Sequence, residues 1–240
     1  MPVLALDTSA SVTVAVVGDD GARLARREVP ERRRHAEALA PLVEEALAEA
    51  GVARSALTAV VVGTGPAPFT GLRVGLVTAR ALGYALGVPV LGVPSLDAVA
   101  VQAVSDLGLV PDDEVLVATD ARRREVYWAR YRVVAHEGPH GVPVVATVAG
   151  PDVAAAAAVA EHAAGAVVVG EGASLYADVL GVAEDAPLVP DAAVLARIAL
   201  ARRDAGQDQP TEPLYLRRPD VQEPAGAKRV SDAPAARGAS

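Results

Sequence analysis

The chain has no cysteine and a single lysine, Lys228, and each absence excludes a class of chemistry. Without cysteine there is no disulfide and no thiolate nucleophile, and a metal site must rest on histidine and carboxylate ligands. Without a lysine at a helix start there is no Walker phosphate loop, which needs Gly-Lys-Ser/Thr there. No apolar run approaches the roughly 20 residues that cross a membrane as a helix. Met1 to Asp7 opens straight into a strand without a basic leader, so a cytoplasmic location is expected. A net charge of -8 argues against a broad nucleic-acid-binding surface but leaves local basic patches open.

What is present is apolar: 52% hydrophobic residues in a chain of 240 supply a core for one domain or two small lobes. The organising stretch is Val60 to Gly87, VVVGTGPAPFTGLRVGLVTARALGYALG. Leu57 to Val62 is a β-branched run of the kind buried on both faces of a sheet, and Gly63, Gly65, Pro66 and Pro68 end it. A helix follows, with Thr70 as its expected N-cap. A strand, a Gly-rich turn and a helix N-terminus have the shape of a phosphate cradle. No glycine stands three residues after Gly65, so the dinucleotide fingerprint is not met, and a structural turn and a phosphate-facing one are both open.

From the N-terminus, strands are expected over Val3–Asp7, Val12–Val17 and Ala22–Val29, with Asp19-Asp20-Gly21 as a hairpin turn. A helix over His35–Gly51 has Leu39, Leu42, Val43, Ala46, Leu47 and Ala50 at helical spacing, and Pro41 predicts a late start or a kink. After the central strand and helix come a buried strand over Val88–Val93 and a helix capped by Ser95 that runs to about Leu107. The order β-β-β-α-β-α-β-α gives a mixed sheet with helices on its faces, as in ribonuclease-H-like lobes. The pattern starts again at Glu114–Asp120, a strand ending in an acid as Val3–Asp7 does. Arg122 to Arg124 turn it, Glu125–Val134 returns, and Val142–Val148 follows a turn at Pro139 to Gly141. Asp152 is expected to cap an alanine-rich helix to about Ala164, before a strand over Ala166–Val169 and a closing helix over Ala192–Ala205. The predicted fold class is α/β: a two-lobed actin-like ATPase architecture, each lobe a mixed sheet flanked by helices. The first, partner-binding lobe spans 1–107; a second, degenerate lobe with its closing helix spans 108–219; the Ala/Pro/Gly-rich tail from 220 to 240 reads as disordered.

Five segments carry a family resemblance: VLALDTSA at 3–10, HAEALAPLVEEAL at 35–47, GTGPAPFTGLRVGL at 63–76, GVPVLGVPSLDAVA at 87–100 and PLYLR at 213–217. Together they resemble the bacterial tRNA threonylcarbamoyladenosine biosynthesis protein TsaB family, YeaZ-like members of the actin-like ATPase superfamily. The resemblance is strong over the first hundred residues and covers the second lobe in outline. It implies a non-catalytic scaffold subunit required with TsaD and TsaE for placing a threonylcarbamoyl group on the adenosine beside the anticodon of tRNAs that read A-starting codons. In such a system TsaC supplies the activated threonylcarbamoyl-adenylate, TsaD transfers it and is the direct heterodimer partner, and TsaE is the ATPase. The resemblance implies no cofactor of the chain's own, allows a nucleotide at the subunit interface of the complex, allows a homodimer of the free chain, and reaches tRNA through the complex. The alternative, from a different class, is an autonomous ATPase or small-molecule kinase of the same superfamily.

The residues support the non-catalytic reading. Proteins resembling TsaD carry two metal-ligating histidines four apart in the helix after the strand matching Val88–Val93, and here Ser95 and Val99 stand in their place. His136 and His140 have ligand-like spacing but flank the turn at Gly138-Pro139, where exposed loop residues are expected. Asp7-Thr8-Ser9, with Gly63 and Gly65, matches a nucleotide loop and reads as vestigial, because its counterpart Asp120 is followed by Ala121 and three arginines instead of a small glycine-containing loop. A Ser9/His35/Asp7 hydrolase lacks a G-x-S-x-G elbow, and a glycoprotease would need a metal or nucleophile that the chain does not supply. Arg26, Arg27, Arg32, Arg33 and Arg34 form a basic run that suits a solvated loop or contacts to tRNA phosphates or acidic partner residues.

A partner surface is expected on the helix from Gly71 to Gly87. At 100° per residue, Leu72, Gly75, Leu76, Ala79, Leu82, Gly83 and Leu86 face the sheet, and Arg73, Val77, Arg80 and Tyr84 gather on a second face. Arginines framing an apolar and an aromatic residue are enriched in protein interfaces. With Leu39 and Leu42 of the 35–51 helix, these four are the expected TsaD contact.

Overall fold

The computed structural model describes residues 1–29 and 35–217. Every residue of β1 (Val3–Asp7) and β2 (Val12–Val17) is buried, because helices cover both faces of the sheet they form. The two strands pair antiparallel, with Val3 opposite Val17 and Asp7 opposite Thr13, and β3 (Arg23–Val29) adds a third antiparallel strand. β4 (Ala59–Gly63) and β5 (Val90–Val93) then pair parallel, giving a five-stranded sheet in the order β3-β2-β1-β4-β5. Strand alternation sends Leu4, Leu6, Val60 and Val62 to one face, under α1 (His35–Ala50) and α2 (Phe69–Leu86), and Val3, Ala5, Ala59 and Val61 to the other.

The second sheet repeats the first. β6 (Glu114–Asp120) pairs antiparallel with β7 (Glu125–Ala135) and parallel with β9 (Val167–Val169), and β8 (Val144–Ala155) pairs with β7, giving the order β8-β7-β6-β9. That order matches β3-β2-β1-β4, so the expected pair of lobes is observed, and Asp7 and Asp120 end equivalent strands. Outside the second sheet lie α4 (Ala156–Ala163) and two short helices that the sequence reading missed, α5 (Glu171–Leu175) and α6 (Ala177–Leu180).

Between the sheets lie α3 (Ser95–Asp106) and α7 (Ala192–Asp204), and they are exchanged relative to chain order. α3 follows the first sheet yet packs Leu96, Val99, Ala103 and Val104 on Val115, Val117 and Ala129 of the second. α7, grouped above with the second lobe, packs Leu195, Ile198 and Ala199 on Val3, Ala15 and Val61 of the first. Five layers result: helices, sheet, helices, sheet, helices.

Local expectations change in four places. Pro41 neither delays nor ends α1, which runs unbroken from His35; its ring lies on the exposed side, away from the sheet. Thr70 is not an N-cap: α2 starts at Phe69 after Pro68, and no side chain caps it. Ser95 is the first residue of α3, not its cap, and its hydroxyl is used elsewhere. Asp152 lies within β8, opposite Trp128, because the ladder with β7 continues to Ala155 before α4 begins.

Candidate partner surface beside two closed loops

Asp7 ends β1 and is only 1% exposed, so its carboxylate needs donors in place of water. Oδ1 accepts the Ser9 backbone N–H at 2.7 Å and the Ser9 hydroxyl at 2.5 Å, while Oδ2 accepts the Ser95 hydroxyl at 2.6 Å. The same Ser95 oxygen accepts the Gly65 N–H at 3.1 Å, and the Ser95 N–H donates back to the Gly65 carbonyl at 2.8 Å. A Cβ on Gly63 would fall 1.7 Å from Asp7 Oδ2. Thr8 donates its hydroxyl to the Gly71 carbonyl at 2.8 Å and accepts the Gly75 N–H at 3.1 Å, tying β1 to the first turns of α2. The structure thus gathers Asp7, Thr8, Ser9, Gly63 and Gly65 in one place, and the space that a side chain on Gly63 would need holds the Asp7 carboxylate and the Ser95 hydroxyl.

Asp120, at the matching place in the second sheet, is 8% exposed. Its Oδ1 accepts the Arg122 backbone N–H at 2.8 Å, and the Arg122 guanidinium lies 3.2 Å from Oδ2. Arg122, Arg123 and Arg124 have φ of 64°, 55° and 64°, three consecutive left-handed residues with side chains exposed. For a residue with a Cβ this region costs about 1–2 kcal/mol each.

The end of the described chain straps the lobes together. The Gly92 N–H on edge strand β5 donates to the Gln209 carbonyl at 3.0 Å, and the Leu214 N–H donates to the Thr64 carbonyl at 2.9 Å. Gln209 Nε2 donates to the Ala199 carbonyl at 3.0 Å, fixing the strap to α7. Further on, Arg217 donates to the Ala121 carbonyl at 3.1 Å and pairs with Glu125 in the second lobe.

Along α2 the predicted outward face is present. Arg73, Val77, Arg80 and Tyr84 are all exposed, Val77 at 64% and Tyr84 at 91%. The two arginines are held by the strap, not by acids: Arg80 donates to the Thr211 carbonyl at 2.7 Å, and Arg73 Nε donates to the Tyr215 hydroxyl at 3.0 Å. The Arg73 guanidinium lies 3.5 Å over the Phe69 ring centroid, and the Phe69 and Tyr215 rings stand 5.1 Å apart. Phe69, Thr70, Arg73, Val74, Val77 and Thr78 line an open groove. Leu39 and Leu42 do not belong to this surface. They are 1% and 5% exposed, because the face of α1 that carries them packs on the first sheet.

Other candidates are occupied locally. His136 Nδ1 lies 2.8 Å from the Leu109 carbonyl oxygen, and His140 Nε2 lies 2.7 Å from Asp204. Arg26 bridges Glu28 and Asp191, and Arg27 pairs with Glu45 and Glu49, so these two basic residues are turned toward the chain's own acids. Arg32, Arg33, Arg34, the His35 side chain, Lys228, Arg229 and the tail at 220–240 lie outside the described residues. Among the described residues, no three histidine or carboxylate side chains are gathered to hold a metal ion, and no helix is long and apolar enough to cross a membrane.

A family profile, TsaD: tRNA N6-adenosine threonylcarbamoyltransferase, matches residues 29–201. The uncharacterized protein Rv3421c of Mycobacterium tuberculosis is 45% identical over 221 residues, covering 91% of this chain and 93% of that protein. The structure of YeaZ from Pseudomonas aeruginosa superimposes with a TM-score of 0.72 at 31% identity, covering 90% of this chain and all of that one. The chain belongs to the TsaB/YeaZ family. The tRNA threonylcarbamoyladenosine biosynthesis protein TsaB of Escherichia coli is 34% identical over 132 residues, 55% of each protein. The chain also spans 55% of the length of the Mycobacterium leprae protein ML0378, which it matches at 44% identity. The YeaZ likeness carries the two-lobed actin-like fold across both lobes. The TsaB-like segment GTGPAPFTGLRVGL forms the end of β4, the loop at Gly65 and the first half of α2, while PLYLR is the strap that closes over it.

Proposed function

We propose that this chain is a non-catalytic scaffold subunit of the machinery that makes threonylcarbamoyladenosine in tRNA, acting with a TsaD-type transferase and a TsaE-type ATPase. The observation that carries this reading is the closure of both phosphate loops. An actin-like ATPase offers its two loop acids to a hydrated metal and a phosphate; here Asp7 is enclosed by Ser9 and Ser95, and Asp120 is held by Arg122. The chain binds no nucleotide in its own loops, and a nucleotide in the complex lies between subunits. The α2 face with Arg73, Val77, Arg80 and Tyr84, extended by Phe69 and Tyr215, is the TsaD contact. It combines exposed apolar and aromatic area with arginines whose positions the strap already fixes, so little side-chain entropy is lost on docking.

Depletion of the protein followed by nucleoside analysis of tRNA tests the role: the threonylcarbamoyl modification disappears and returns when the full chain is supplied. Unchanged modification after depletion would overturn it. Phosphate release from ATP by the purified chain, at the order of 1 per second ordinary for enzymes, would favour an autonomous ATPase or kinase instead.

A further inference from the structure

We infer that the outward face of α2 in one copy of this chain docks on the α5–α6 corner of a second copy, joining the protein head to tail. Arg73 and Arg80 stand on that face with no ion pair among the described residues. Neutral groups of the strap hold them instead, the Tyr215 hydroxyl for Arg73 and the Thr211 carbonyl and hydroxyl for Arg80. A guanidinium has more N–H donors than these bonds use, so fixed, charged donors remain on the exposed surface. Val77 and Tyr84 add exposed apolar and aromatic area beside them. No aspartate or glutamate stands in the sequence between Glu49 and Asp97, so α2 carries no acid of its own. On the neighbouring α1, Glu44 pairs with Arg54, and Glu45 and Glu49 pair with Arg27. Glu212 of the strap is exposed and makes no ion pair with either arginine.

The α5–α6 corner is opposite in charge and equally apolar. The Gly170 and Glu171 N–H groups donate to the Pro187 and Leu188 carbonyls, which folds the segment after α6 back onto the start of α5. Leu175, Val179, Val182 and Leu188 are exposed there, Leu175 at 58% and Leu188 at 42%, and these two leucines wall one groove. Asp178, Glu184 and Asp185 are exposed among them and make no ion pair among the described residues. From Ala163 to Ala196 the sequence has no lysine, arginine or histidine. Apolar area framed by charge of one sign is complementary to apolar area framed by the other. α2 lies in the outermost layer on the first sheet, and α5 and α6 lie in the outermost layer on the second, so one chain cannot bring its own two faces together. Pairing α2 with α2 would gather cations, and pairing the corner with itself would gather acids; only the unlike pairing neutralises both. Unlike faces join copies in a row that grows unless its rotation closes a ring. The association needs no transferase and stands apart from the proposed function.

Sedimentation velocity of the full chain alone reads the association. At low salt the weight-average mass should climb with protein concentration from the 24.3 kDa monomer past the mass of a dimer. At about 1 M salt, where the Debye length falls to about 3 Å, it should drop back toward the monomer. Arg73→Glu with Arg80→Glu reverses the α2 face, and Asp178→Arg with Glu184→Arg reverses the corner. Each variant alone should associate more weakly than the parent by about tenfold or more. An equimolar mixture should recover the parent's affinity, because each reversed face then meets its opposite, and misfolding cannot produce that recovery. Val77→Glu keeps both strap contacts and serves in the mixture in place of an α2 reversal that melts low. Leu175→Ser with Leu188→Ser alters no charge and should also weaken association by about tenfold or more. A parent that stays at the monomer mass at low salt, a dimer indifferent to reversal of the corner, or a mixture that does not recover would each overturn the pairing. No transferase is present in these measurements, so their outcome is independent of whether the transferase binds α2.

Discussion

The Ser95 hydroxyl donates to Asp7 Oδ2 at 2.6 Å, joining the first residue of α3 to the last residue of β1 across 88 positions of sequence. The same oxygen accepts the Gly65 N–H, so one hydroxyl satisfies a buried carboxylate and a buried backbone donor together. Ser95→Ala should lower stability by about 1–3 kcal/mol, the usual penalty for leaving buried polar groups unpaired. Chemical denaturation of the two proteins reads this directly. An unchanged midpoint and slope would show that Asp7 finds other donors.

Gly63→Ala should destabilise by about 2 kcal/mol or more, because the added Cβ would stand 1.7 Å from Asp7 Oδ2 and the end of a central strand cannot yield. Gly87→Ala, with no atom near its Cβ and a φ of 69°, should lose only the smaller strain of a left-handed helix end, about 1 kcal/mol. Comparing the two melting curves separates crowding from backbone strain.

On α2, Val77→Asp with Tyr84→Ala changes only exposed side chains and should leave the melting temperature within a degree or two. Loss of affinity for the TsaD-type partner should be on the order of 2 kcal/mol or more, enough to abolish co-purification. Leu39→Ala, by contrast, should cost about 2–5 kcal/mol of stability as a core truncation. If the α2 double variant melts normally and still binds the partner as tightly as the parent, the placement of the contact is wrong.

Tyr131 is buried, and burial pushes its phenol well above the ordinary value, assisted by Asp97, which accepts its hydroxyl at 2.8 Å. Tyr127 is raised in the same direction by burial and by Asp120. A phenol whose folded pKa exceeds its unfolded value of about 10 favours the fold fully below that pH and loses this contribution as pH rises toward the folded value. Ultraviolet titration should therefore show Tyr131 ionising only as the protein unfolds in alkali. Ionisation of Tyr131 near the ordinary value, with the fold intact, would contradict its buried pair with Asp97. Tyr131→Phe should flatten the alkaline limb of the stability curve.

The first sheet was legible because its strands are short β-branched runs bounded by Gly, Pro and Asp, and its ends fall within two residues of expectation. The α2 face was legible for the same reason: the 3.6-residue period separates Leu72, Leu76 and Ala79 from Val77 and Tyr84. The role of Ser95 was hidden, since Ser before an apolar helix reads as a cap and its real partner is far away in sequence. The strap was hidden because two of its anchors, the Gln209 carbonyl and the Leu214 N–H, are backbone groups, which leave no residue pattern. For α1 the period was read correctly, but Leu39 and Leu42 were assigned to a partner when that period already committed them to the core. The placement of α7 could have been inferred from AAVLARIAL, apolar nearly all round, which is the mark of a helix buried between layers.

The exchange of α3 and α7 between sheets has a consequence for synthesis on the ribosome. When the first sheet has emerged, the face carrying Val3, Ala5, Ala15 and Val61 lacks its cover, because α7 is encoded some 85 residues beyond α3. At the usual 5–20 residues per second that face stays open for on the order of ten seconds, while α3 waits for the second sheet. Nascent chains halted near residue 113 should thus bind a hydrophobic dye and chaperones strongly, and chains released past Asp204 should not. Neither half carries its own lid, so the protein matures as one cooperative unit late in translation.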